Sequence, residues 1–357
     1  MDMSTLARSM RARMPWPVGR RILQENGIPR ARGWENTVAR LSSKDDLYSE
    51  KIDALTQDLK EHLLCGEKLV RFYEVDQKTK DIMIDTLLGL ELPESSFRKA
   101  YPALLSDEEL EAQPPDPTFI EVEELKDEVA AVFTSVRTIS LREALVKEDL
   151  PEEVAEALTG YGEIVGIKHV RHEAVDVISI PTTGSHVNVR IDYPNGMHRD
   201  VGEAAQSRLR TELAELVKAD KLTKPINLFP LINEMYKAQS EGTVVELAFG
   251  TTTASLKHER MRRRAACLRE ETYHKGGKAA LSTPIEPYRL SIVWKRPLTR
   301  GFSEPELGLH TSSFVAGSAS PVLIDAVIRK CMGISDFTYV EDRIEHFLSE
   351  LSKRKQK

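Results

Sequence analysis

The stretch "EAQPPDPTF", residues 111–119, constrains this chain more than any other. Pro114, Pro115 and Pro117 withhold backbone donors, and they push the residues before them into extended shapes. Neither a helix nor an interior strand runs comfortably through such a segment. It reads as a Pro-rich linker, 112–119, between a first domain at 1–111 and a second at 120–357. With 357 residues, the chain is long enough for two cores.

Before the linker the apolar spacing is helical. Val18, Ile22 and Leu23 share one stripe. Trp34, Val38 and Leu41 share another, and the run from Tyr48 to Val75 repeats Ile52, Leu55, Leu59, Leu63 and Leu64. These segments predict an all-helical, possible helix-turn-helix unit. After the linker, "EVEELKDEVAAVF" and "LPEEVAEAL" read as helices, the latter with Pro151 in its first turn. "EIVGIKHV", "AVDVISIP" and "SHVNVRIDYP" then read as strands of an antiparallel meander. Val187, Val189 and Ile191 lie on one face, and Asn195–Gly196 marks a turn. Helices are expected at 200–218 and 226–239, and strands at 243–249, in "PYRLSIVW" and within 307–316. Two last helices are expected, from Pro321 to Lys330 and over Val340–Leu351. The fold class is α+β: a helical part, then an antiparallel sheet packed by helices.

Apolar residues make up 41% and charged residues 30%, which are globular values. No apolar run reaches the ~18–20 residues of a membrane span. The start, "MDMSTLARSMRARMPW", lacks the apolar core of a signal peptide, so cytosol is expected (nucleus in a eukaryote), with no membrane partner. Cys65, Cys267 and Cys331 lack CxxC spacing and read as reduced thiols.

The net charge of −6 hides segregation. Residues 1–40 hold eight Arg against three acids, residues 91–163 nineteen acids against six bases, and residues 164–300 twenty-two bases against fifteen acids. The densest basic run is "SLKHERMRRRAACLREETYHKGGKAA", residues 255–280, preceded by Thr251–Thr253 as capping residues. A helix over 255–274 is expected, with Met261, Ala265, Leu268 and Thr272 on its packing stripe. Lys257, Arg260 and Arg264 share another face, Arg262, Arg263 and Arg269 widen it, and Lys275 and Lys278 flank the closing glycines. Arginine suits phosphate because its planar fork donates two hydrogen bonds at once. The competing reading is a solvated face paired with the acidic 91–163 region.

A second basic group, Arg8, Arg11, Arg13, Arg20 and Arg21, sits beside Trp16 in "ILQENGIPRARGWENTVARL", which has helix–turn–helix spacing. A helical interaction domain fits the same spacing, with Trp34 as its core anchor.

No catalytic, cofactor or metal motif is complete. His169 and His172 point to opposite faces of one strand. His258–Glu259 lacks the second His of a zinc-protease helix, and "HKGGKAALST" is not a phosphate loop. Cys267 reads as a packed small apolar residue. Asp176, Asp192 and Glu246 are the acids that could converge on a divalent ion in a nuclease.

"MPWPVGRRILQENG" and "DLKEHLLCGEKLVRFYEV", with "VGIKHVRHEAVDVISIP" and "FVAGSASPVLIDAVIRKCMGI", give an element order that resembles the centromere protein N family. The resemblance spans most of the chain. It implies a helical domain followed by an α/β domain, binding to a centromeric nucleosome and its DNA, and pairing with a sister protein. No contact residue transfers by motif.

These readings lead to a non-enzymatic nucleic-acid-binding protein, DNA first, using the Arg-rich surfaces of both halves within a larger complex such as genome maintenance or phage defence. A protein-interaction subunit, a homo-oligomer among its forms, and a metal-dependent nuclease are the alternatives.

Overall fold

The computed structural model describes residues 1–29, 31–43, 45–251, 253 and 255–355. The fold is α+β. Helices α1 (Met3–Arg13), α2 (Trp16–Glu25), α3 (Gly33–Ser42), α4 (Asp45–Tyr48) and α5 (Ile52–Cys65) come first. Strand β1 (Lys68–Glu74) and helices α6 (Gln77–Leu88), α7 (Ser96–Ala100) and α8 (Asp107–Glu111) follow. Strands β2 (Thr118–Glu124), β3 (Glu128–Leu145), β4 (Ile164–Pro181) and β5 (His186–Asp192) come next, with α9 (Glu152–Ala157) between β3 and β4. After α10 (Arg199–Leu216) and α11 (Phe229–Lys237) run β6 (Thr243–Gly250), β7 (Leu256–Arg260), α12 (Thr272–Ala279), β8 (Glu286–Val293), β9 (Arg296–Leu298), β10 (Gly301–Ser303) and β11 (Glu306–His310). Helix α13 (Ser313–Ala316), strand β12 (Asp325–Arg329) and helix α14 (Ile334–Lys355) end the chain.

Ten strands form one sheet in the order β2-β3-β4-β5-β1-β12-β11-β8-β6-β7, and β9–β10 is a separate hairpin. Alternation explains the layers. In β3, Ala130 and Val132 face the core shared with α1–α5, while Ala131 and Phe133 face the core shared with α6 and α10. On the β6–β8–β11 side, Leu247, Leu290 and Leu309 pack under α11 and α14.

Four expectations are corrected. Residues 68–74 do not continue a helix: β1 lies between β5 and β12, so the first 111 residues are not all helical. Val70 and Phe72 serve the core on one face, and Leu69 and Tyr73 the core on the other. "EVEELKDEVAAVF" is not a helix but the β2–β3 hairpin, because its apolar residues fill both faces of a sheet. The segment after Pro321 forms β12 instead of a helix. "EIVGIKHV" and "AVDVISIP" are one unbroken strand, β4. The 200–218 and 243–249 elements lie where expected, and Gly196 takes the φ of +94° that its turn requires.

Candidate nucleic-acid interface

The basic segment 255–280 is not a helix. Its first part is the edge strand β7, which pairs with β6 from Glu246↔Arg260 to Gly250↔Leu256. Met261 to Ala266 form an irregular turn, and α12 covers only 272–279. Lys257, Arg260 and Arg264 therefore share no helix face, and the Met261–Ala265–Leu268–Thr272 stripe does not exist. Leu268 is buried, whereas Ala265 and Thr272 are exposed. Two positions in the flanking sequence, Arg30 in the first half and Thr252 among the capping residues, lie outside the described residues.

Arg269 is not a surface cation. It is 3% exposed. Its guanidinium donates to the carbonyls of Met235 at 2.7 Å, Tyr236 at 2.8 Å, Glu241 at 3.0 Å and Gly242 at 3.2 Å. Two of these belong to the last turn of α11, so Arg269 caps the negative end of that helix.

Arg13 is also structural. It meets Asp192 at 2.5 Å with both side chains buried, and donates to the Glu173 carbonyl at 3.0 Å. Burial alone would raise the Asp192 pKa, but Arg13 and His172 hold it well below the usual carboxylate range. Lys68 donates to the Val175 carbonyl at 2.7 Å beside this group, and burial pulls its pKa down to about 8.

The remaining cations are at the surface. Lys257, Arg262 and Arg263 are exposed and have no ion-pair partner among the described residues. Arg11 is exposed and Arg20 half-buried, with no partner carboxylate either. Arg260 reaches Glu246 at 3.5 Å, Lys275 pairs with Glu270, and Lys278 donates to the Tyr236 hydroxyl at 3.1 Å. No ion pair joins 255–280 to the acidic 91–163 region among the described residues; the pairs this segment makes run to Glu246, Glu259, Glu270 and Glu306 instead.

The fold brings the two sequence-distant Arg groups to one place. Arg21 pairs with Glu304, while Arg264 and Lys330 pair with Glu306, two residues farther along the same segment. The seam lies where α2 meets the β9–β10 hairpin. The Arg300 backbone N–H donates to Glu25 at 2.8 Å, and its guanidinium donates to the Gln24 carbonyl at 3.2 Å. Gly27, just past α2, has φ of +74°, and an added Cβ would stand 3.2 Å from that guanidinium. Lys295 lies over the Phe302 ring at 5.1 Å. Met261, Arg262, Arg263 and Ala266 line a cavity of about 430 Å³ beside Arg264. Arg21, Arg264, Lys295, Arg300 and Lys330 thus gather around Glu25, Glu304 and Glu306, with Glu67 also beside Lys330, so the seam carries more cations than carboxylates. Lys295, Arg300 and Lys330 were not singled out in the sequence. "WKRPLTRGF" held the signal, a basic tight turn, but only the contact with α2 makes it part of a surface.

The helix–turn–helix spacing corresponds to α2 and α3. Trp34 packs edge-on against Trp16 at 5.4 Å and donates to the Met14 carbonyl at 2.8 Å, as a core anchor. The exposed residues of α3 include Glu35, Asn36 and Ala39, so this helix offers no basic face.

Catalytic chemistry is not assembled from the acids noted above. Asp176 accepts from Arg137 and from the Asp192 backbone N–H at 2.9 Å, and Asp192 is held by Arg13. Glu246 lies on β6, with β1, β12, β11 and β8 between it and β5. It is engaged by His258 and Arg289. Among the described residues, no group of three or more His, Cys, Asp or Glu is placed to hold a metal ion, and no helix is long and apolar enough to cross a membrane. His169 contacts Ser140 at the surface, while His172 is turned to Asp192.

The chain matches no protein-family model, and searches of curated proteins and of solved structures return no significant match.

Proposed function

We propose that this protein binds nucleic acid, DNA ahead of RNA, through phosphate contacts along the seam between α2, the 261–266 turn and the β9–β10 hairpin. The observation that carries this reading is the meeting of Arg21 and Arg264 on carboxylates two residues apart, with their sequence neighbours Arg20, Arg262 and Arg263 free of ion pairs among the described residues. Unpaired guanidiniums suit a chain of phosphates, because each offers a planar donor fork. Lys257, Arg260, Lys275 and Lys278 extend the positive surface toward the sheet edge. Contacts of this kind position a duplex without reading its bases. The element order that resembles centromere protein N belongs to the same proposal, since that family binds nucleosomal DNA. A place in a genome-maintenance or phage-defence complex belongs to it as well.

The test is a salt titration of binding to a short DNA duplex of arbitrary sequence, read by fluorescence anisotropy. The combined variant Arg20→Ala/Arg262→Ala/Arg263→Ala should weaken binding equally on unrelated sequences. It should also make the log–log salt slope shallower by roughly two to three units, since each lost phosphate contact removes about 0.9. Absence of binding by the wild type at low salt, or an unchanged slope in a variant with native circular dichroism, defeats the reading.

A further inference from the structure

Strands β3 and β4 pair over their whole length, from Glu128↔Pro181 to Leu145↔Ile164. Their neighbours stop much earlier. β2 pairs with β3 only as far as Thr134, and β5 pairs with β4 only from Val177 to Ser179. Outward from Arg137↔His172 the two strands have each other alone. At ~3.3 Å per residue this two-stranded arm carries its tip roughly 30 Å beyond the sheet. Its base is braced where Arg171 donates to the Gln113 carbonyl at 2.8 Å.

The tip has a distinct chemistry. Residues 146–163 hold Glu148, Asp149, Glu152, Glu153, Glu156 and Glu163 against the single cation Lys147. None of these six carboxylates has an ion-pair partner among the described residues. The same region exposes Leu145, Val146, Val154, Tyr161, Val165 and Ile167, six of the fifteen large apolar side chains exposed among the described residues. Apolar exposure concentrated in this way, rimmed by charge, marks a contact surface and not scattered decoration.

The complement lies at the far edge of the same sheet. Strand β7 has a partner on one side only. It exposes Leu256 at 60% and the unpaired Lys257, and α12 beside it exposes Tyr273 at 73%. His274 to Glu259, 2.6 Å, ties α12 to β7, which places Lys278 beside this edge, along with Lys275 in its pair with Glu270. The two surfaces cannot meet within one chain. Seven strand steps separate β4 from β7 in the sheet order, roughly 34 Å at ~4.8 Å per step, and the arm points away along the strand direction.

We infer that the acidic, apolar tip of one copy docks on the basic, apolar β7–α12 edge of a second copy. The contact uses two different surfaces, so it is head-to-tail and propagates beyond a dimer unless the rotation closes a ring. Charge sets the fit: carboxylates on the tip face lysines on the edge, and like surfaces repel. Lys257 and Lys278 also extend the proposed nucleic-acid surface, so the association is measured on the chain free of nucleic acid, where its outcome does not depend on that reading.

Sedimentation velocity on the full chain, free of nucleic acid and at low salt, tests it. The wild type should associate with rising concentration up to about 100 µM and dissociate as salt screens the pair. Glu152→Lys/Glu153→Lys/Glu156→Lys and, separately, Lys257→Glu/Lys278→Glu should each weaken association at least tenfold while retaining native circular dichroism. A mixture of the two variants presents opposite charges at each junction and should associate again. A wild type that stays monomeric throughout overturns the inference. So does association that both variants leave intact, or a mixture that stays monomeric while each variant is folded. Failure of DNA binding leaves these outcomes unchanged.

Discussion

Arg13 and Asp192 form a buried ion pair that fastens the end of α1 to the end of β5. The guanidinium also reaches the Glu173 carbonyl, and His172 contacts the same Asp192 oxygen at 2.8 Å. Truncating one partner of such a pair leaves a charge buried without compensation. Arg13→Ala should therefore lose about 3–5 kcal/mol of stability, measured by urea denaturation. A loss below about 1 kcal/mol, the range of surface ion pairs, would return Arg13 to the binding surface where its sequence first suggested it.

His186 gives the chain a pH dependence of definite sign. Burial lowers its pKa, but hydrogen bonds to Glu341 and Glu345, at 3.0 Å and 2.7 Å, outweigh burial and push it up to about 9. The folded value lies above the unfolded one of ~6.5. The charged histidine therefore stabilises fully below about pH 6.5, and its contribution is lost as pH rises through 9. Lys68 has the opposite slope at higher pH, since its folded value of about 8 lies below its unfolded one. The difference between wild type and His186→Asn isolates the histidine. It should shrink by on the order of 1–3 kcal/mol between pH 6 and 9. A difference that is flat across that range contradicts the assigned partners.

Cleavage in the Pro-rich segment should not separate the chain into two bodies. Pro114, Pro115 and Asp116 are exposed. Strand β1, from the N-terminal side, is nevertheless bonded to β5 and β12 from the C-terminal side. The α1–α5 core also includes Val175 and Val177 of β4. A protease site placed between Ala112 and Pro114 and cut under native conditions should leave both fragments co-eluting in gel filtration. Separation without denaturant would restore two independent domains.

The helices α2, α3 and α5 and the strands β5, β6 and β8 were legible because each shows one period clearly, with a single covered face or a short apolar run between breaks. Strand β1 was not. Val70 and Phe72 face one core and Leu69 and Tyr73 the other, so its apolar run carries no period of two and merges with the helix before it. The segment after Pro321 fails for a similar reason. Val322, Leu323, Ile324, Ala326, Val327 and Ile328 make a nearly continuous apolar run without a clear period, and pairing with β1 and β11 decides. The α+β class survived these errors because most other elements were placed correctly. The candidate surface was half legible: the composition located the cations, but the contact of α2 with the β9–β10 hairpin, which joins them, depends on residues far apart in sequence.

Arg263 and Arg269 show why charge density alone could not separate binding from structure. They stand in one basic run, both flanked by residues that suit a helix. Arg269 is turned inward to the end of α11, reaching a carbonyl 33 residues earlier in the chain. Arg263 is exposed beside the seam with no partner among the described residues. Their substitutions should separate cleanly. Arg269→Ala leaves four carbonyls without their donor, three of them on buried residues, and uncaps α11, and should cost roughly 3 kcal/mol or more. Arg269→Lys should recover only part of this, since an ammonium cannot span the same fork of acceptors. Arg263→Ala should stay within about 0.5 kcal/mol of the wild type yet reduce the salt slope of DNA binding by about 0.9. Thermal denaturation and anisotropy titration on the three variants provide the check. If Arg269→Ala is as stable as Arg263→Ala, the α11 cap is wrong. If Arg263→Ala binds with the wild-type slope, its side chain does not touch phosphate.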